Sequence, residues 1–107
     1  MARLLSSTKR DDEGIIQLGG DLSGDPSTLS LAEWVEEHFV DDGVVRIRID
    51  LSQVATIDLE GVVALGLLAA EAIKQGKVLM VVGAGGQVQG KLEETGLSAY
   101  LQGRISA

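Results

Sequence analysis

The chain has 107 residues, the usual length of one domain with a single hydrophobic core. Its 9 basic and 16 acidic residues give a formal net charge of −7, so its electrostatic field repels nucleic-acid phosphates and anionic lipid headgroups. It contains no cysteine, which excludes disulfide bonds and thiolate metal sites and fits a reducing cytoplasm. We therefore expect a single cytoplasmic domain over residues 1–107 that does not bind nucleic acid.

The sequence also argues against membrane insertion. The longest uncharged and largely apolar run, residues 61–70, is far shorter than the roughly 20 residues that a membrane-spanning helix needs. The N-terminus turns acidic before any apolar stretch long enough for a secretory signal. We expect neither export nor direct insertion into a membrane.

The first third of the chain predicts two strands and a helix. Short apolar segments at residues 2–8 and 14–18 flank the turn-like sequence KRDDEG, which favours a strand pair. Glycine, aspartate, serine and proline are dense over residues 19–30, which predicts a loop. A Ser-x-x-Glu capping box at Ser30 then predicts a helix that ends near Gly43. The apolar stripe of this helix consists of Leu31, Trp34, Val35, His38 and Phe39.

The rest of the chain predicts alternating strands and helices. Residues 44–51 alternate between apolar and polar side chains, which is typical of a strand with one wet face. Residues 77–82 are apolar after the first, which indicates a strand that is buried on both faces or central in a sheet. A helix from Asp58 to Gly76 joins these strands, so they should be parallel. With a short helix over residues 86–94, the prediction is an α/β fold with a small mixed sheet. In the strand predicted over residues 44–51, the apolar side is expected to consist of Val45, Ile47, Ile49 and Leu51.

The helix that begins near Asp58 has two different faces when its residues are placed at about 100 degrees each. The face expected to contact the sheet consists of Val62, Leu65, Gly66, Ala69 and Ile73. The outer face has acids at its edges and aliphatic groups between them, and consists of Glu60, Val63, Ala64, Leu67, Glu71 and Lys74. Exposed apolar surface with a charged rim often marks a contact site, and the alternative is that another part of the chain covers it.

Two further features point only weakly to catalysis. Residues 85–92, GGQVQGKL, resemble a phosphate-binding loop, but Leu92 stands where such a loop needs a hydroxyl for Mg²⁺. His38 is the single histidine, and no other imidazole or thiol is available to build a metal site around it. We expect no metal, no cofactor and no catalytic residue, and an enzyme is the third choice of function.

Several segments resemble the STAS domain family, which is named for sulfate transporters and anti-sigma factor antagonists. LGGDLS resembles an early strand of the family, and IDLSQVATID followed by Gly61 resembles its central strand and the loop into its second helix. GKVLMVV resembles the next strand, and VQGKLEETGL resembles the segment after it. The resemblance covers most of the chain. It implies a mixed sheet with helices packed mainly on one face and no catalytic residues.

In the antagonist members, the loop after the central strand typically reads Asp-Ser-Ser/Thr-Gly. The hydroxyl residue before the glycine is phosphorylated by a partner that is both a serine kinase and an anti-sigma factor, and phosphate weakens binding to that partner. The corresponding residues here are Asp58, Leu59, Glu60 and Gly61. Glu60 has no hydroxyl, so the resemblance implies that this position is not phosphorylated. Its carboxylate either partly mimics phosphoserine, which carries a charge of about −1.5 to −2, or only stabilises the start of the helix.

We therefore expect a module that binds a protein partner without phosphate control. The partner is either an anti-sigma factor or related kinase-like protein, or a transporter or multiprotein signalling scaffold that the chain serves as an accessory subunit. A permanent phosphate mimic counts against simple antagonism. The segment after Gly96 is shorter than the final helix of many family members, which favours a homodimer or a larger complex as well. The expected partner-binding residues are Asp58, Leu59, Glu60, Gly61, Val63, Ala64, Leu67 and Glu71.

Overall fold

The computed structural model describes the backbone of residues 2–22, 25–96 and 105–106, and the side chains of residues 2–22 and 31–96. Among the described residues, no helix is both long and apolar enough to cross a membrane. The elements in chain order are β1 (Ala2–Arg10), β2 (Glu13–Leu22), α1 (Asp25–Val40), β3 (Arg46–Ile57), α2 (Leu59–Lys74), β4 (Val78–Val82), α3 (Gly86–Glu94) and β5 (Ile105–Ser106).

The strands form one mixed sheet in the order β1-β2-β3-β4-β5. β1 and β2 are antiparallel, whereas the pairs β2–β3, β3–β4 and β4–β5 are parallel. The β1–β2 turn contains Asp11 at a φ of 55°, a left-handed conformation that aspartate tolerates better than most residues. The mixed α/β sheet predicted from the sequence is therefore confirmed.

The helices cover one face of this sheet. Side chains on most of β2 and on the first half of β3 alternate between buried and more exposed positions, as a sheet covered on one side requires. β4 follows the same alternation, so its central position is confirmed but burial on both faces is not. Arg48 and Met80, for example, lie on the open face. The hydrophobic strand residues that are at most 2% exposed are Ile16, Leu18, Leu22, Ile47, Ile49, Leu51, Ile57, Leu79 and Val81.

The predicted loop between β2 and α1 is much shorter in the structure. β2 continues to Leu22, and α1 already begins at Asp25. The predicted capping box at Ser30 was therefore wrong, because Ser30 lies inside the helix. Pro26 lies in the first helical turn, where the missing backbone N–H has no intrahelical partner to lose.

β3 is also longer than predicted and ends at Ile57 instead of Leu51. Its second half pairs with the end of β2 through two register shifts, between Gln17 and Gly19 and between Gly20 and Asp21. These irregularities interrupt the alternation of buried and exposed residues, which hid this half of the strand from a pattern of period two. The extension carries the end of β3 to the beginning of α2.

Two apolar residues predicted to face the core are exposed. Val45 precedes β3 and is 48% exposed, and the neighbouring Val44 is buried in its place. Ile73 of α2 is 52% exposed because α1 packs beside α2 and shifts the buried arc toward Ala64 and Leu68. The other predicted sheet-facing residues agree, except that Gly66 is only partly buried.

A buried lysine connects the end of α1 to the start of β4. The Nζ atom of Lys77 donates hydrogen bonds to the carbonyl oxygens of His38 at 3.0 Å, Asp41 at 2.6 Å and Val44 at 2.8 Å. The last carbonyls of a helix lack intrahelical partners and form the negative end of its dipole. Lys77 therefore caps α1 from outside the helix.

Candidate functional site

The first turn of α2 lies where the parallel strands β2 and β3 both end. Asp58 has an extended backbone, and its Oδ1 atom accepts a hydrogen bond of 2.9 Å from the backbone N–H of Gly61. Asp58 is thus the N-cap of the helix, in agreement with the predicted helix start. Glu60 is exposed in the first turn, where its charge meets the positive end of the helix dipole.

Gly61 positions this turn by allowing a close approach to β2. A Cβ atom at this position would collide with the carbonyl oxygen of Leu22 and would lie 2.8 Å from Cγ1 of Ile57. The backbone N–H of Asp58 also donates to the Leu22 carbonyl at 3.2 Å. Gly61 is buried, so it supports the site from below instead of offering surface to a partner.

Two side chains that sequence reasoning did not assign to the site fasten the end of β3. Gln87, in the first turn of α3, accepts a hydrogen bond of 3.0 Å from the N–H of Ile57 and donates one of 3.2 Å to its carbonyl. On the other side, Thr56 Oγ1 donates to Asp21 Oδ1 at 2.8 Å. Nothing in the spacing of these residues along the chain reveals either contact. Together they hold the residues just before Asp58 between β2 and α3.

The outer side of α2 carries a row of exposed aliphatic side chains. Leu59, Val63 and Leu67 are 62%, 51% and 61% exposed. Residues four apart lie on the same side of a helix, so the three form a continuous stripe that starts beside Glu60. Ala64 was predicted to belong to this surface, but it is 4% exposed, because it faces α1. The predicted exposed apolar face is therefore present and narrower than expected.

A groove of about 480 Å³ runs between α1 and α2 next to this stripe. Its apolar lining consists of Ala32, Phe39, Ala64, Leu67 and Leu68, and its charged lining consists of Glu33, Glu36 and Glu71. Ala64, Leu67 and Glu71 of the predicted partner-binding set thus meet in the groove, while Asp58, Leu59, Glu60 and Val63 lie at the N-terminal end of α2.

A second polar cluster surrounds His38 near the C-terminal end of α1. The Nε2 atom of His38 lies 3.1 Å from Ser7 Oγ, which also donates a hydrogen bond of 2.6 Å to Glu37 Oε1. The ring packs against Gly14, where an added Cβ atom would lie 2.5 Å from Nδ1. Burial lowers the pKa of His38, although Glu37 and Asp41 oppose this shift. The histidine is 4% exposed and contributes to packing, in agreement with its place on the predicted apolar stripe of the first helix.

The described part of the chain contains no group of three or more histidine, cysteine, aspartate or glutamate side chains placed to hold a metal ion. The polar contacts around Asp58 are instead made with backbone groups and neighbouring strands. They give a helix start that is held by hydrogen bonds beside an exposed apolar stripe, an arrangement suited to binding a macromolecule.

Comparisons with known proteins agree with this architecture. A family model described as Mlab, STAS domain, matches residues 5–103. A putative anti-sigma factor antagonist from Thermotoga maritima has a TM-score of 0.80 and 20% sequence identity, over 95% of this chain and 85% of that chain. A search of curated proteins gave no match.

Two further solved structures illustrate the range of similar proteins. A serine-to-glutamate variant of RsbS from Moorella thermoacetica has a TM-score of 0.76 and 22% identity, over 98% of this chain and 86% of that chain. The STAS domain of a SulP transporter from Vibrio cholerae has a TM-score of 0.71 and 16% identity, over 94% of this chain and 77% of that chain. At these identities the similarity establishes the fold.

Proposed function

Because the chain belongs to the STAS domain family, we propose that it is a non-enzymatic module that binds a protein partner through the outer side of α2. The observation that carries the proposal is the stripe of Leu59, Val63 and Leu67, each more than half exposed. We define the α2 docking surface as this stripe with Asp58, Glu60 and Glu71, with Gly61 and Ala64 supporting it from below.

The chemistry of this surface favours a protein partner. A contiguous row of exposed aliphatic groups gains free energy when another apolar surface covers it. Glu60 and Glu71 add charged groups at the rim, where they contribute mainly to orientation and choice of partner. The rigid support of the helix start by Gln87 and Leu22 keeps these groups in place before the partner arrives.

The first candidate role is regulation of transcription or signalling through an anti-sigma factor or a related kinase-like protein. The structural similarity to a putative anti-sigma factor antagonist supports it. Glu60 lies in the first turn of α2, which agrees with its assignment to the usual phosphoacceptor position. Since Glu60 has no hydroxyl that a serine kinase could phosphorylate, binding at this surface is constitutive in our proposal. The module acts in the cytoplasm as one domain over residues 1–107.

The second candidate role is that of an accessory subunit of a transporter or a multiprotein signalling scaffold. The similarity to a transporter STAS domain supports this role. A fixed charge at Glu60 also fits a subunit that stays bound, because a permanent subunit needs no switch. Both roles use the same α2 docking surface and differ in the identity of the partner.

Quantitative co-purification from the native cells tests the shared part of the proposal. We expect Leu67→Asp to remove the principal partner and Glu60→Lys to weaken its recovery. Val45→Asp is the matched control, because Val45 is also about half exposed but directly precedes β3, at the opposite end of that strand from the start of α2. Circular dichroism should show that all three variants are folded. If both α2 variants retain every partner, the assigned docking surface is wrong.

A further inference from the structure

The groove between α1 and α2 combines an apolar floor with a rim of a single charge sign. Phe39, Leu67 and Leu68 contribute to the floor, and Glu33, Glu36 and Glu71 provide all the charged groups of the lining. A volume of about 480 Å³ accommodates one or two large apolar side chains. No basic side chain lines this part of the described structure.

The glutamates at the rim are available to a partner. Glu33 and Glu36 are exposed on α1, and within the described residues their carboxylates take part in no ion pair. They lie three residues apart, on the same side of the helix. Glu71, on the other wall of the groove, accepts a hydrogen bond of 3.0 Å from the side-chain amide of Gln75. The rim therefore attracts cations from both walls.

The shape of the surface indicates a helix as the occupant. The stripe of Leu59, Val63 and Leu67 spans about 12 Å at the rise of an α-helix and leads into the groove, since Leu67 belongs to both. An elongated apolar track of this kind suits an amphipathic helix that presents apolar residues every three to four positions.

The charge decides which helix fits. A second copy of this chain would bring another net charge of −7 and another acidic rim to the interface, and like charges facing each other oppose binding. A helix with lysine or arginine beside its apolar stripe would instead place cations against Glu33, Glu36 and Glu71. Charge complementarity therefore favours a basic partner over self-association.

We propose that the groove between α1 and α2 binds a basic amphipathic helix of the partner protein. One large apolar side chain of that helix fills the space between Phe39 and Leu67, and flanking cations face Glu33, Glu36 and Glu71. This inference rests on the proposed docking function and specifies the chemistry of the partner.

Helical peptides test this assignment directly. The probes are three helical peptides of about 18 residues with the same apolar stripe of leucine and phenylalanine. The residues that flank the stripe are lysine in the first peptide, glutamine in the second and glutamate in the third. Fluorescence anisotropy with the full chain should show that the lysine peptide binds most tightly, the glutamine peptide less tightly and the glutamate peptide most weakly. Added salt should reduce the differences in affinity between the peptides. In the double variant Glu33→Lys with Glu36→Lys, the lysine peptide should bind about tenfold more weakly and the order should reverse.

The matched control is the double variant Glu93→Lys, Glu94→Lys. It changes the net charge by the same amount, but both substitutions lie on α3. This variant should retain the original order of peptides. Amide chemical-shift changes should be confined to α1 and α2. If no peptide binds at about 1 mM, or if both double variants respond alike, the groove assignment is overturned.

Two outcomes separate this inference from the proposed function. If co-purification depends on Leu67 and Glu60 but not on Glu33 and Glu36, the α2 docking surface stands and the groove does not bind a basic helix. If sedimentation shows a dimer that Leu67→Asp dissociates, a second copy occupies the surface and the inference fails.

Discussion

The side-chain amide of Gln87 forms two hydrogen bonds with the backbone of Ile57, at 3.0 and 3.2 Å, so that α3 holds the residue at which β3 ends. Ile57 is followed directly by Asp58, the N-cap of α2. The position of the α2 docking surface therefore depends on a glutamine that lies 30 residues after Ile57 along the chain.

Replacing Gln87→Ala should lower the free energy of unfolding by about 1–3 kcal/mol, because it leaves both backbone groups of Ile57 without these partners. Hydrogen exchange should become faster at the amides of Asp58 and Gly61. Gln89→Ala is the control, since the side-chain amide of Gln89 donates its described hydrogen bond to Glu93 within the same helix. Equal stability and exchange in the two variants would show that Gln87 does not position this turn.

Gly61→Ala should destabilise the fold by about 1–3 kcal/mol or more, because the new Cβ atom would collide with the backbone of Leu22. Gly90→Ala should have the opposite effect on stability. Gly90 lies within α3, and apart from the backbone of that helix and its chain neighbours an added Cβ would meet no atom within 4 Å, so alanine there should stabilise the protein by about 0.5–1 kcal/mol. Urea unfolding measures both changes, and a Gly61→Ala variant as stable as the wild type would refute the close approach.

Lys77→Met should lower the free energy of unfolding by about 3 kcal/mol, since it removes hydrogen bonds from a charged donor to the carbonyls of His38, Asp41 and Val44. Lys74→Met removes an exposed lysine at the end of α2 and should change stability by less than about 0.5 kcal/mol. Thermal unfolding of the two variants side by side tests whether Lys77 caps α1.

Stability should also depend on the protonation of His38. Burial lowers its pKa in the folded state below the ordinary value of 6.5, so the unfolded chain binds a proton first as the pH falls. The free energy of unfolding should therefore decrease from pH 6.5 downward until the folded-state pKa is reached. In the variant His38→Gln, urea unfolding at a series of pH values should no longer show this decrease in the free energy of unfolding. An unchanged slope in the variant would assign the pH dependence to other groups.

Local sequence patterns predicted most of the fold because each pattern has a local physical cause. The alternation in Ile47, Ile49 and Leu51 follows from one covered face of the sheet, and Asp58 caps the helix that it directly precedes. Where contacts between distant segments decide the structure, the predictions failed. α1 lies beside α2 and buries Ala64, and the irregular pairing with β2 extends β3 to Ile57.

In the candidate site, too, features that depend on one helix alone were predicted, and features that depend on two helices were not. The exposure of Val63 and Leu67 was predicted from helical periodicity, because it depends only on which side of α2 faces the sheet. The groove requires α1 as its second wall. The angle and distance between two helices cannot be predicted from the residue pattern of either helix alone. For the same reason, Glu33 and Glu36 were not recognised as part of the site.

Photo-crosslinking in the native cells tests the central claim most directly. Benzoylphenylalanine introduced at Leu67 contacts whatever covers the outer side of α2, and the same group at Val45, which is also about half exposed, reports on a position away from it. We predict a crosslinked product with a different protein at Leu67 and not at Val45. The same products at both positions, or a product at Leu67 that contains only a second copy of this chain, would contradict the account.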